Sequence, residues 1–138
     1  MNVKMHQCGA GKFDGMVSKA RAAGIDFYEC GWVDGGGQTL EREVLLGALR
    51  FIDEALASAE QPAAAGGAAS SLGRAVLIHC AQGKSRSGAV SVAYVAQQSG
   101  CDADSALTIV QEGRRMAQPN HHFMEQLRHY HREGLFAL

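Results

Sequence analysis

Val76 to Gly88 reads VLIHCAQGKSRSG, and the residue types in it are those of anion chemistry. Cys80 stands at the end of an apolar run. Five small or polar residues, Ala81, Gln82, Gly83, Lys84 and Ser85, separate it from Arg86 and Ser87. The run has strand character and the stretch beyond Arg86 has helix character, so the five residues form a loop that ends at a helix N-terminus. Backbone N–H groups there have no intrahelical partner, and together with the helix dipole they bind anions. A loop of this length can curl its amides around a phosphate, with Gly83 supplying the backbone freedom. Arg86 adds a planar fork matched to two phosphate oxygens. Cys80 at the bottom of such a cradle is acidified, because helix N-termini and nearby cations lower a thiol from about 8.5 toward roughly 3.5–7.5. Its thiolate is then placed for in-line attack on phosphorus, giving a phosphocysteine that water must hydrolyse. Ser87 can donate a hydrogen bond to the sulfur and ease its departure in that second step. His79 is read as a residue that orders the loop.

The same stretch contains GKS, which invites comparison with the nucleotide-binding loop G-x-x-x-x-G-K-S/T. That pattern requires glycine at position 78, where this chain has Ile78. A lone cysteine after a strand is usually a small buried hydrophobe. The register of His79, Gly83, Arg86 and Ser87 around Cys80 reverses that preference.

The elements that must position this loop can be read on either side of it. MVSKARAAG is a helix closing on Gly24, and IDFYECGWV is a strand ending at the turn-forming DGGG of Asp34 to Gly37. Thr39 is the expected N-cap of a long helix, LEREVLLGALRFIDEALASAE. Its apolar stripe, Leu45, Leu49, Ile52 and Leu56 widened by Val44, Ala48, Phe51 and Ala55, packs on a sheet. Residues 60–74 are a low-complexity Ala/Gly/Ser block, read as an inserted surface loop. AVLIH is a buried apolar strand of the parallel or mixed type. SGAVSVAYVAQQSG is a helix ending at Gly100, CDADSALTIVQEGRRMAQ one capped by Asp102 and followed by Pro119, and HHFMEQLRHYHREG one capped by Asn120. The fold class is α/β: a central mixed, mostly parallel sheet covered by helices, with the phosphate loop between a buried strand and a helix N-terminus.

Composition narrows the function further. At 138 residues the chain is one domain, 1–138. A net charge of −1, from 13 Lys and Arg against 14 Asp and Glu, argues against general nucleic-acid binding. There is no apolar run of membrane-spanning length and no secretion-signal core, so the chain reads as soluble and cytoplasmic, with nuclear access open to it. The pattern assigns no oligomeric state. Cys8, Cys30, Cys80 and Cys101 form no C-x-x-C pair and read as reduced thiols. Cys8 or Cys30 could serve as a resolving thiol for an oxidised Cys80. His121, His122, His129 and His131 lack the i, i+4 spacing of a helical metal site and read as a solvated face. Neither a metal nor a cofactor is expected.

With these residues in place, the chain resembles the small atypical dual-specificity phosphatases, cysteine-dependent enzymes with the signature H-C-x5-R-S/T. The resemblance covers Gly24 to Tyr130. FIDEAL, AVLIHCAQGKSRSGAVSVAYV, SALTIV and PNHHFMEQL follow the family's order and spacing, the last matching its P-N-x-x-F-x-x-Q-L ending. It implies a phosphatase acting on phosphotyrosine, phosphoserine and phosphothreonine of protein substrates. It also implies a general acid, an aspartate on a separate loop, which lands on Asp34, with Asp26 a distant second. Chemistry asks for the same group, since one positioned acid is typically worth 10²–10⁴-fold when an alkoxide or phenoxide must leave. The glycines after Asp34 suggest a mobile loop that closes on substrate. The family's additional N-terminal strands are not evident in residues 1–24, so that either this start is degenerate or the chain begins late. Two alternatives stay open. One is a phosphate-recognising binding module without turnover, like a pseudophosphatase. The other is a phosphatase of RNA 5′-phosphate, phosphoinositide or glycan phosphate.

Overall fold

The computed structural model describes residues 2–4, 14–57 and 75–137. Three strands of three residues each build its sheet: β1 (Asn2–Lys4), β2 (Phe27–Glu29) and β3 (Leu77–His79). Their order is β2-β1-β3 and both pairings are parallel, with Lys4 opposite Glu29 on one side and His79 on the other. Parallel pairing puts the carboxyl ends of all three strands along one edge, the edge at which α/β sheets carry their ligands. The chain runs from β2 into residues 30–41 and from β3 into Cys80 at that same edge. The described sheet is thus parallel throughout, and its central strand comes from the N-terminal segment where the sequence shows no strand. Three residues are too few to display a period of two.

Between β1 and β2 lies α1 (Asp14–Ala22). It stops as its composition predicts. Gly24 takes the left-handed conformation at φ 70°, its N–H bonds to the Arg21 carbonyl, and that of Ile25 reaches back to Ala20. α2 (Arg42–Ala57) buries Leu45, Ala48, Leu49 and Ile52, the centre of the expected stripe, while Leu56 at its end is exposed. The helix begins after Glu41, whose carbonyl accepts the first bond from Leu45, so Thr39 lies outside it and is not the N-cap. Tyr28 of β2 lies over α2, its hydroxyl donating to the Val44 carbonyl at 3.1 Å and its ring 5.5 Å from that of Phe51.

The central helix is α3 (Arg86–Ser99). Gly88, Ala89, Val90, Val92, Ala93 and Ala96 are all buried, because small side chains let β3, α2, α4 and α5 approach it closely. It ends on Gly100 at φ 64°. α4 (Ala103–Gly113) is capped by Asp102, which accepts from the N–H groups of Asp104 and Ser105. It is shorter than the pattern predicts: Arg114 is extended, residues 115–116 turn, with the Ala117 N–H bonding to the Arg114 carbonyl, and the chain then passes the loop that follows Cys80. α5 (His121–Arg132) is capped by Asn120 and buries Phe123, Met124, Leu127 and Tyr130.

β3 is less buried than an apolar run suggests. Leu77 is 56 % exposed, and Ile78 and His79 are half-buried, because β3 has one strand neighbour among the described residues. The low-complexity block at 60–74 lies outside the described residues. Among those described, no helix is long and apolar enough to cross a membrane.

Candidate active site

Cys80 follows β3 directly and is buried, with its sulfur 3.3 Å from the Ser87 hydroxyl. Backbone N–H groups of Gln82, Lys84 and Ser87 also donate to that sulfur. Burial is the largest single influence on the thiol and pushes it up. The Ser87 hydroxyl and the three N–H groups, of Ser87, Lys84 and Gln82, together outweigh it, so Cys80 titrates below an ordinary thiol.

The loop keeps this shape because its outward-facing groups are tied elsewhere. The Gly83 carbonyl accepts from Arg114 Nε at 2.8 Å, and the Lys84 carbonyl from the Gln118 N–H at 3.0 Å. Ser85 Oγ accepts from the Asn120 N–H at 3.0 Å. With the Gly83 and Lys84 carbonyls turned outward, N–H groups of the loop are left to face the sulfur. Gly83 sits at φ 63°, a left-handed conformation that favours glycine, and a Cβ there would displace the Arg114 guanidinium. These ties are also why α4 ends early: residues 114–118 leave the helix to reach the loop. Arg86 opens α3 and is 1 % exposed, its charge enclosed at the loop's end. Ser85 and Ser87 are buried beside it. His79 closes β3 immediately before Cys80.

Asp34 is exposed on the segment that leaves β2. Its Oδ1 accepts a 3.0 Å hydrogen bond from Asn120 Nδ2, and the N–H of the same Asn120 reaches Ser85 of the loop that follows Cys80. One residue therefore joins the two halves of the site. Asp26 precedes β2 and so belongs to the opposite edge of the sheet, away from Cys80. The rest of the Asp34 segment is also fastened. Gln126 of α5 accepts from the Leu40 N–H at 2.7 Å and donates to the Gln38 carbonyl at 3.0 Å. Tyr130 donates to the Leu40 carbonyl at 2.7 Å. Trp32 is 1 % exposed, with its ring 6.5 Å from Phe123.

Asn120 and Gln126 are the residues that element-by-element reading passes over. They stand in the sequence as the N and Q of PNHHFMEQL, where only the helix cap is evident from local pattern.

Residues 63–133, just over half of the 138-residue chain, match the model of the dual specificity phosphatase catalytic domain. The chain belongs to this family. Among curated dual specificity phosphatases and their relatives, it is 50 % identical over 58 residues to mouse protein phosphatase Slingshot homolog 3, spanning 42 % of this chain and 9 % of that one. It is 38 % identical over 78 residues to human dual specificity phosphatase 28, 56 % of this chain and 44 % of that one. The chain thus spans less than half the length of either relative. Its fold is that of a mouse putative dual specificity phosphatase crystallised with zinc tungstate, with a TM-score of 0.71 at 24 % identity over 96 % of this chain and 69 % of the other.

Two other sets of residues singled out in the sequence have these surroundings. Cys30 is 7 % exposed, and burial, reinforced by Glu29 and Glu41, pushes its thiol up to about 12. A thiol so held is protonated at neutral pH and is a poor resolving partner for Cys80; Cys8 lies outside the described residues. His121 and His129 each face a glutamate one turn on, Glu125 at 3.2 Å and Glu133 at 3.3 Å, and the described residues hold no cluster of metal-ligating side chains.

Proposed function

We propose that the chain is a cysteine-dependent phosphomonoesterase acting on phosphorylated side chains of proteins. The observation that carries this reading is the Cys80 sulfur, 3.3 Å from the Ser87 hydroxyl and ringed by three backbone N–H groups ahead of a buried Arg86. A ring of donors that stabilises a thiolate is equally a ring for phosphate oxygens, and family membership agrees with that use.

In the first step the Cys80 thiolate attacks phosphorus in line with the ester oxygen. The S–P bond forms as the P–O bond breaks, and the departing oxygen takes a proton from Asp34. Arg86 and the N–H groups from Ala81 to Arg86 hold the three equatorial oxygens, whose charge they offset in the transition state. In the second step water attacks the phosphocysteine and gives its proton to the Asp34 carboxylate. The P–S bond breaks, inorganic phosphate leaves, and the Ser87 hydroxyl stabilises the departing thiolate. His79 holds the strand end from which Cys80 projects.

The test is phosphate release from phosphotyrosine, phosphoserine and phosphothreonine peptides, with a phosphoinositide and an RNA 5′-phosphate alongside. The wild type is expected to turn over the peptides, and Cys80→Ser to lose all turnover while keeping its circular dichroism and melting temperature. Hydrolysis by Cys80→Ser at the wild-type rate would overturn the reading. Tight binding of a phosphopeptide by the wild type without any release would instead mark a binding module.

A further inference from the structure

Asn120 has three polar groups in its backbone N–H and side-chain amide, and the structure gives each a different partner. Its N–H donates to Ser85 Oγ in the phosphate loop. Its Oδ1 accepts the N–H of Phe123 at 2.9 Å, capping α5. Its Nδ2 donates to Asp34 Oδ1 at 3.0 Å. The cap settles which way round the amide lies. An amide turned over would set its NH₂ against the Phe123 N–H, donor against donor, and its carbonyl oxygen against the Asp34 carboxyl oxygen. The helix terminus therefore aims an N–H donor at Asp34.

That donor distinguishes the two oxygens of the carboxyl group. Oδ1 is engaged as an acceptor, and a carbonyl oxygen accepts more strongly than an acid hydroxyl oxygen, so a proton placed on Oδ1 would weaken the bond from Asn120. When Asp34 is protonated the proton resides on Oδ2, the oxygen left free to deliver it. Asp34 is exposed and lies ahead of three consecutive glycines, Gly35 to Gly37, so its own segment does little to orient it. Asn120, in contrast, is anchored to both the phosphate loop and α5.

We propose that Asn120 is a positioning residue that holds the acid over the phosphate loop and selects Oδ2 as the oxygen carrying the transferred proton. The inference rests on the reading of Asp34 as general acid. It also implies that the Asp34 segment is held in place before substrate arrives, in contrast to the mobile loop its glycines suggest.

The experiment separates the cap from the donor. Serine caps helices as well as asparagine does, so Asn120→Ser keeps the bond to the Phe123 N–H and loses only the donor to Asp34. The measurement is kcat/KM across a series of substituted aryl phosphates, which reports the phosphoryl-transfer step, plotted against leaving-group basicity. For the wild type a shallow dependence is expected. Asp34→Ala steepens it, and Asn120→Ser steepens it in the same sense, with a loss of about tenfold or more for the most basic leaving group and an unchanged melting temperature. In the Asp34→Ala background, Asn120→Ser adds no further steepening. A wild-type slope in Asn120→Ser alongside a steepened one in Asp34→Ala overturns the proposal and leaves the acid assignment standing. So does additional steepening in the double variant, which would mean that Asn120 acts by another route. An unchanged slope in Asp34→Ala sinks the acid assignment itself and the positioning role with it.

Discussion

The chemistry of the site turns on whether a buried sulfur can hold a negative charge near neutral pH. For Cys80 burial opposes that, and the donors of Ser87, Lys84 and Gln82 win. Ser87 contributes two of them, its hydroxyl and its N–H, so Ser87→Ala removes one donor and leaves the backbone intact. A hydrogen bond to a charged group is worth about 1.5–3 kcal/mol, and about 1.4 kcal/mol corresponds to one pH unit. The expected outcome is that the pH midpoint of iodoacetamide labelling at Cys80, and the acidic limb of kcat/KM, both move up. An unmoved midpoint would mean that the backbone donors suffice. The sign for stability is fixed by the same direction. Because the folded-state thiol titrates below its unfolded value, the thiolate's contribution is complete above the ordinary thiol range and is lost as pH falls through the folded-state pKa. Cys30 serves as the internal control in the labelling, since a thiol pushed up to about 12 stays protonated and unlabelled where Cys80 reacts.

At the scale of elements, the packing of α2 on β2 depends on a glycine in the middle of a helix. Intrinsic propensity says that Gly47→Ala stabilises α2 by roughly 1 kcal/mol. Packing says the reverse, because a Cβ at position 47 would occupy the place of the Tyr28 hydroxyl, which is bonded to the Val44 carbonyl and whose ring rests on Phe51. The ring cannot step aside without giving up those contacts. Gly47→Ala is therefore expected to destabilise by about 1–3 kcal/mol in urea unfolding, and a gain in stability would show that Tyr28 relocates freely. The helix termini show the opposite balance. Gly24, Gly100, Asp102 and Asn120 end or begin helices where local rules place them, because a cap is a contact between near neighbours. α4 breaks the pattern, and its reason is not local: residues 114–118 are drawn out of the helix by bonds to Gly83 and Lys84.

Across the whole molecule, one apolar cluster runs from Cys30 through α2, α3, α4 and α5 to Phe136. Trp32, the single tryptophan of the chain, belongs to it and also underlies the segment carrying Asp34. If the cluster folds as one unit, the Asp34 segment cannot loosen before the core does. Unfolding followed by Trp32 fluorescence and by far-ultraviolet circular dichroism should give coincident transitions. An earlier fluorescence transition would mark the Asp34 segment as a separately melting part. The charged surface adds little to this cohesion. The Arg128–Asp104 pair at 2.6 Å is partly exposed, and exposed pairs contribute about 0–1 kcal/mol.

Much of the site is legible without coordinates because its chemistry is local. Cys80, the five-residue loop, Arg86 and Ser87 are contiguous, and a strand-to-helix turn must present successive N–H groups to whatever lies at its mouth. The helices of the core are equally legible, from a 3.6-residue period and from caps made by neighbours. Tertiary structure alone decides the remainder. β1 becomes a strand only by pairing with β2 and β3, a contact between residues far apart in sequence. Parallel register brings Asp34 to the same edge as Cys80 and sends Asp26 to the other. The meeting of Asp34, Ser85 and Asn120 spans more than eighty residues of chain. Spacing along a sequence carries no distance across it, so this last alignment exists only once the helices have packed.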